Sequence, residues 1–371
     1  MSSHLLLTGA TGLIGEYLLA GLLQKNVPLA VLTRAKDGDS PANRIEELLL
    51  RWEQTLGKPL PRPVVLAGET NRPGLGLSDE DLRWVTQHCN RILHNAASVQ
   101  FQGSDHAQDP WLSNLTGTQC LLGMCAELGI RDLHYVSTAY VCGNRTGRIY
   151  EQELNCGQVL RNDYESSKFA AENLVRNAPF LGQRTIYRPG IVVGDSLTAY
   201  TSTYRGVYSY LQFTCAMARN ADRDAQGRWH HPVRLNLTGQ EFRSLVTVDY
   251  VADVILRVLE SPASHGQTFH ITPAEPTTSQ EIETALARHC NYHGVEFVGR
   301  PPIPPASMNA SEELFYSAVA AYQPYWEGDP VFDQTNTAQV MQGAACPRVD
   351  AAMLLRLFEF AARHNFGKRR R

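Results

Sequence analysis

Two residues four apart carry the clearest chemistry in this sequence. Tyr164-Glu165-Ser166-Ser167-Lys168 puts a phenol and an ammonium on one face of a helix expected over 162–177. A cation held beside a phenol favours the phenolate and lowers its pKa. Such a tyrosine can give a proton to an oxygen that is receiving a hydride, while the lysine holds the nicotinamide ribose. A second constellation opens the chain. Thr8-Gly9-Ala10-Thr11-Gly12-Leu13-Ile14-Gly15 follows an apolar run and begins a helix-spaced segment. Glycines there avoid Cβ clashes in a tight turn, and the helix N-terminus offers unpaired N–H groups to a pyrophosphate.

The second strand ends Leu32-Thr33-Arg34. An acidic residue at that place would hold a ribose 2′-hydroxyl, whereas arginine suits a 2′-phosphate. Arg44, on the next helix, supplies a second cation. NADP(H) is therefore the expected cofactor.

These groups need a frame. Apolar runs at 4–8, 28–33, 64–66, 91–93 and 133–136 alternate with helical stretches at 12–26, 41–57, 108–128 and 162–177. Ser40-Pro41 is a helix start and Gly57 a helix stop. The alternation predicts an α/β fold with a doubly wound parallel sheet of Rossmann type. Beyond the strand at 184–188, residues 196–243 show no clean period. A strand-then-helix pattern returns at 245–260, with a further strand at 267–271, a proline-rich loop at 300–306 and an amphipathic helix at 350–364. The predicted layout is an NADP-binding domain, residues 1–193 and 245–271. A smaller, mostly helical C-terminal substrate-binding part takes residues 194–244 and 272–371. Residues 200–210 suit a lid or plain packing equally.

Composition narrows the class. Lys+Arg 34 against Asp+Glu 37 leaves a net charge of −3, which argues against a nucleic-acid surface. With 43% hydrophobic and 19% charged residues the chain is globular rather than disordered. Eight cysteines form no Cys-x-x-Cys pair, so reduced thiols in a cytoplasmic protein are the expectation. Residues 4–23 are apolar, but Glu16 interrupts them without a basic leader or cleavage site, so neither a signal peptide nor a membrane span is predicted. His289 and His293 are four apart without a third ligand, and no metal is expected. Lys368-Arg369-Arg370-Arg371 is read as a solvated tail.

The glycine spacing, G-x-x-G-x-x-G, and its company resemble the extended short-chain dehydrogenase/reductase superfamily. By that resemblance Thr138, not Ser137, in Tyr135-Val136-Ser137-Thr138-Ala139-Tyr140-Val141 is the hydroxyl that binds the substrate oxygen, beside Tyr164 and Lys168. Asn114 is the superfamily's structural asparagine. Asn95, Ala96 and Ala97, after a core histidine at His94, form the loop along the cofactor. Further strings are similar to the thioester reductase branch: Arg34-Ala35-Lys36 with Arg44, residues 73–78 (PGLGLS), residues 187–196 (YRPGIVVGDS), and Phe332-Asp333 with Asn336. That branch includes terminal reductase domains of nonribosomal peptide synthetases, carboxylic acid reductase domains and fatty acyl-CoA reductases. The resemblance implies cofactor contacts from Thr8, Gly9, Thr11, Gly12, Leu13, Ile14, Gly15, Arg34, Arg44, Glu69, Asn95, Ala96, Ala97, Asn114, Tyr164, Lys168, Pro189 and Ile191. Glu69 stands where the branch has aspartate near the adenine, Ala199 replaces a usual glycine, and residues 100–110 depart from the pattern. Arg188 is expected to make a structural contact near the sheet edge.

The branch implies reduction of an acyl thioester to an aldehyde or alcohol. No adenylation or carrier domain is recognised in this sequence, so the acyl group is expected on coenzyme A or on a separate carrier protein. The runner-up is an NADPH-dependent reductase of a free ketone or aldehyde. A nucleotide-sugar epimerase is disfavoured by Arg34, and a non-catalytic NADP-binding sensor by the presence of Thr138, Tyr164 and Lys168.

Overall fold

Strand and helix alternate through most of the chain in a computed structural model, which describes residues 3–219 and 223–368. In chain order the strands are β1 (His4–Thr8), β2 (Leu29–Thr33), β3 (Val64–Ala67), β4 (Cys89–His94), β5 (Asp132–Val136), β6 (Arg148–Ile149), β7 (Gln183–Pro189), β8 (Ile191–Val193), β9 (Trp229–Leu235), β10 (Phe242–Arg243), β11 (Leu245–Thr247), β12 (Thr268–Ile271), β13 (Thr277–Thr278), β14 (Tyr292–Phe297) and β15 (Val331–Phe332). The helices are α1 (Leu13–Gln24), α2 (Pro41–Leu56), α3 (Asp79–His88), α4 (Gly117–Leu128), α5 (Asp163–Arg176), α6 (Val207–Arg219), α7 (Val248–Glu260), α8 (Ser279–Cys290), α9 (Ala310–Ala318), α10 (Thr335–Met341) and α11 (Ala351–Arg363).

The chain divides into two compact units. The first holds Met1–Gly190, Asp249–Ile271 and Phe332–Ala345. Its seven parallel strands run β12-β7-β5-β4-β1-β2-β3. β2 is buried along its whole length and β1 from Leu5 onward, as strands covered on both faces must be. Leu6, Ile92 and Leu133 of the strands pack with Leu121 and Cys125 of α4 and with Ala171 and Val175 of α5. Helix ends follow local chemistry. Ser40 caps α2 by accepting from Asn43 N–H, Pro41 takes the first turn, and Gly57 closes it at φ 66°. The strand order reverses between β1 and β4, which pair with Thr8 opposite His94. A crevice therefore opens beyond the carboxyl ends of these two strands, the usual ligand position in such sheets.

The second unit holds Ile191–Val248, Thr272–Val331 and Cys346–Arg371. It contains α6, α8, α9 and α11 with three two-stranded ladders, β8–β11, β9–β14 and β10–β13. Trp229, Tyr292, Leu354 and Phe358 belong to its core. The region without a clean period holds both α6 and β9. Tyr208, in residues 200–210, is buried and its hydroxyl accepts the Gly194 N–H at 3.1 Å, so this tyrosine packs.

This partition departs from the sequence layout in two places. β8 and β11 pair with each other, so both belong to the second unit. Residues 332–345 join the first. Asn336 Nδ2 donates to Thr268 O at 2.9 Å, its N–H donates to Glu151 at 2.8 Å, and the Thr337 hydroxyl donates to His270 O at 2.8 Å. His289 and His293 do not share a helix face: one lies on α8, the other on β14, where it stacks on His230. The eight cysteines form no disulfide. Among the described residues no helix is long and apolar enough to cross a membrane. Arg369–Arg371 of the basic tail lie outside the described residues.

Candidate active site

Thr8 ends β1 with its side chain buried. Its Oγ1 accepts the N–H groups of Asn95 and Ala96, both at 3.2 Å, and meets His94 Nδ1 at 2.8 Å. Asn95 Nδ2 donates to Gly9 O at 3.2 Å. The loop after β4 is thereby tied to the turn after β1. Gly9 has φ +72°, and a Cβ there would lie 2.6 Å from Ala96 N. At Gly15 a Cβ would lie 1.9 Å from Gly9 O. Gly12 is different: it is exposed at the start of α1, and its Cβ would meet nothing closer than Gly9 O at 3.5 Å. Protein packing demands two of the three glycines, and the third leaves bare backbone. No side chain caps α1, so its first N–H groups have no side-chain acceptor and are left for a pyrophosphate. These residues fit a dinucleotide.

The three glycines should therefore separate in experiment. Gly12→Ala is expected to keep the wild-type urea midpoint while weakening dinucleotide binding by at least about tenfold, ~1.4 kcal/mol. Gly15→Ala should lose both. Equal loss of stability in the two variants, measured by denaturation beside a cofactor titration, contradicts the assignment.

Two arginines stand at the other side of this turn. Arg44 reaches from α2 to donate to Thr11 Oγ1 (3.1 Å), Thr33 Oγ1 (3.2 Å) and Arg34 O (2.6 Å), bracing the glycine turn against the end of β2. Arg34 is exposed, with NH1 3.7 Å from Glu69. Glu69, just past β3, also pairs with Arg72 at 2.9 Å.

The catalytic candidates converge at the end of β5 and the start of α5. Asn162 caps α5 by accepting from Glu165 N–H at 2.9 Å, which fixes the first turn carrying Tyr164. The Thr138 hydroxyl acts on the Tyr164 phenol in the direction that lowers its pKa. Ser137 points elsewhere and donates to the buried Glu172 at 2.6 Å. Lys168, 2% exposed, donates to Tyr135 OH (3.1 Å) and Val136 O (2.8 Å). Burial lowers its pKa to about 7, against the pull of Glu172, which raises it. Burial also pushes the Tyr164 phenol up to about 12, against the pull of Thr138. The sequence expectation of a cation-lowered phenol is corrected here, because the Lys168 ammonium bonds to Tyr135 and Val136 rather than to Tyr164. A phenol at about 12 is protonated at neutral pH, the form a proton donor needs.

Hydrogen bonds revise other expectations. Both Nδ2 hydrogens and Oδ1 of Asn114 are engaged, by Ser98 O, Ser167 Oγ and Ser98 N–H. Asn114 thus joins the β4 loop to α5, and Thr8 likewise positions that loop. His94 is buried, and burial and the Lys168 charge lower its pKa to about 3. Ala97 is exposed beside the loop, Pro189 ends β7, and Ile191 opens β8 in the second unit. Sequence reasoning passed over Glu172. It accepts from Arg188 at 2.6 and 3.1 Å and from Arg176 at 2.9 Å. Burial alone would raise its carboxyl, but the arginines and Ser137 hold it below the usual carboxylate range. The signal was present: Tyr164, Lys168 and Glu172 recur every four residues on one helix face.

The sequence profile of the male sterility protein family, an NAD-binding family, matches residues 7–255. The nonribosomal peptide synthetase asaC of Aspergillus flavus is 27% identical over 292 residues, covering 75% of this chain and 27% of its own length. The aldehyde reductase lnaA of Aspergillus flavus is 28% identical over 392 residues, covering 95% of this chain and 35% of its own. This chain therefore corresponds to about a third or less of each. The crystal structure of the terminal R domain from the myxalamid PKS-NRPS biosynthetic pathway has a TM-score of 0.76 at 27% identity, over 98% of this chain and 91% of that one. The glycine turn, the seven-stranded parallel sheet and a profile match over two thirds of the residues agree: the chain belongs to the male sterility family of NAD-binding proteins, in the thioester reductase branch of the extended short-chain dehydrogenases/reductases, and is an oxidoreductase of that type.

Proposed function

We propose that the chain is an NADPH-dependent reductase of acyl thioesters held on a carrier protein or coenzyme A. The observation that carries this is the gathering of Thr138, Tyr164 and buried Lys168 at the carboxyl end of the sheet that also bears the glycine turn. The bound dinucleotide supplies the hydride. Thr138 and Tyr164 together hold the carbonyl oxygen, and both donors oppose the charge that develops on it. Tyr164 gives its proton to that oxygen, and the product is a thiohemiacetal. Its C–S bond then breaks, the sulfur leaves as thiol with a proton, and an aldehyde remains. Lys168 holds the nicotinamide ribose. It is 2% exposed and its side chain is fixed by two hydrogen bonds.

The peptide synthetase relative and the R-domain structure support a carrier-bound substrate. The aldehyde reductase relative supports the second reading, a free carbonyl substrate. A panel of acyl-CoA, acyl-carrier and free aldehyde or ketone substrates, scored by NADPH consumption and product analysis, separates them. A second hydride transfer would take the aldehyde to an alcohol with the same residues.

NADPH rather than NADH rests on Arg34 and Arg44 flanking the end of β2. Arg34→Ala is expected to weaken NADPH by ~10–150-fold, the worth of one charged hydrogen bond at ~1.5–3 kcal/mol, and to leave NADH nearly unchanged. Arg44→Ala should weaken both, because it also braces Thr11. Fluorescence titration with each dinucleotide decides; a wild-type preference for NADH contradicts the assignment.

A further inference from the structure

The second unit contains a cavity walled by the aromatic rings of Tyr210, Phe297, Phe315 and Trp326. Arg243, on β10, lines it and is only 8% exposed. Its guanidinium has five N–H donors, yet among the described residues its one side-chain hydrogen bond goes to Phe242 O at 2.7 Å. Among the described residues it forms no ion pair with a carboxylate. A buried guanidinium without an anion is costly, and such cations are ordinarily paired. A second polar group faces the same space. His231 is 3% exposed, lines the cavity, and its Nδ1 has no hydrogen-bond partner. Burial lowers its pKa to about 4, so the ring is neutral and can present an N–H at Nδ1. Glu283 is the carboxyl of the wall: burial raises its pKa against the pull of Tyr292, and Gln280 donates to it at 3.4 Å.

We propose that this cavity binds a ligand with an apolar, aromatic-compatible body and one carboxylate, which Arg243 pairs while His231 donates to its second oxygen. A planar carboxylate matches the guanidinium fork. Inorganic phosphate would use the charge but leave the four aromatic walls uncovered. The test below needs no turnover, so it fails or succeeds independently of the thioester reading.

The experiment is calorimetric titration of the full chain with 3-phenylpropanoate, 3-phenylpropan-1-ol and inorganic phosphate. The carboxylate should bind at least about tenfold more tightly than the alcohol, as one charged hydrogen bond requires. Arg243→Gln should erase that advantage while leaving the alcohol and NADPH affinities unchanged, the latter reporting an intact first unit. Arg243→Lys should retain part of it. Should Arg243→Gln fold poorly, Ile282→Trp, which narrows the cavity from another wall residue, should weaken carboxylate and alcohol alike. Equal binding of carboxylate and alcohol by the wild type, an advantage that survives Arg243→Gln, or phosphate binding as tightly as the carboxylate overturns the proposal. So does the absence of binding by all three.

Discussion

Tyr164→Phe is expected to cut turnover by ~10²–10⁴-fold, the usual span for loss of a general acid, with NADPH affinity nearly unchanged. The substitution removes one hydroxyl and keeps the ring, which lies 6.1 Å from the Phe101 ring, so packing at the start of α5 survives. The hydroxyl is the group on which Thr138 acts and, with a pKa raised to about 12, one that carries a proton at neutral pH. Phe at this position leaves Thr138 to hold the oxygen alone and removes the acid that protonates it. Near-normal single-turnover rates in Tyr164→Phe would assign the proton to another group.

Glu172→Ala should be the most damaging substitution to stability in the first unit, by ~3–5 kcal/mol, the cost of breaking a buried pair from one side. Glu172 and Arg188 are both almost wholly buried, and Ser137 and Arg176 complete the set around the carboxylate. Without Glu172 the buried Arg188 cation is left without a carboxylate. Catalysis should suffer as well, through two neighbours. Ser137, adjacent to Thr138, loses its anchor, and Lys168 loses the carboxylate that raises its pKa, so more of it is neutral at pH 7. The double variant Glu172→Ala with Arg188→Met should recover much of the stability, because an absent pair costs less than half of one. Urea denaturation of the single and double variants checks this. A double variant no more stable than Glu172→Ala would mean that the loss comes from packing and not from the stranded charge.

The first half of the chain was legible because parallel strands buried on both faces must be continuously apolar. LLLT, LAVLT and ILH therefore stand out between helices with clear starts, such as Ser40-Pro41. The second unit was less legible. β9 pairs with β14 about sixty residues away, so its register depends on a partner no local pattern reveals. The tyrosines of α6 satisfy their hydroxyls at distant groups, Gly194 for Tyr208 and Trp326 for Tyr210, which breaks the simple apolar stripe. At the site, spacing identified which side chains share a face but not where their polar atoms end. Lys168 is four residues from Tyr164, yet its ammonium turns to Tyr135 and Val136. Thr8 and Asn114 stand in matching motif positions, yet every polar atom of the Asn114 side chain is engaged within the protein. Arg243 and His231 carried no sequence signal, since neither belongs to a motif and their shared cavity forms only when β9 and β10 fold with α8 and α9.

The most direct test supplies an acyl thioester and NADPH and measures free thiol and NADPH oxidation together. A thioester reductase must release one thiol at the first hydride transfer, whereas a reductase of free carbonyls releases none. The account predicts thiol release that depends on NADPH and is lost in Tyr164→Phe, with NADPH consumed to thiol released near one-to-one for an aldehyde product or two-to-one for an alcohol. Oxidation of NADPH by free aldehydes or ketones, with no thiol from any acyl-CoA or acyl-carrier substrate, would contradict it.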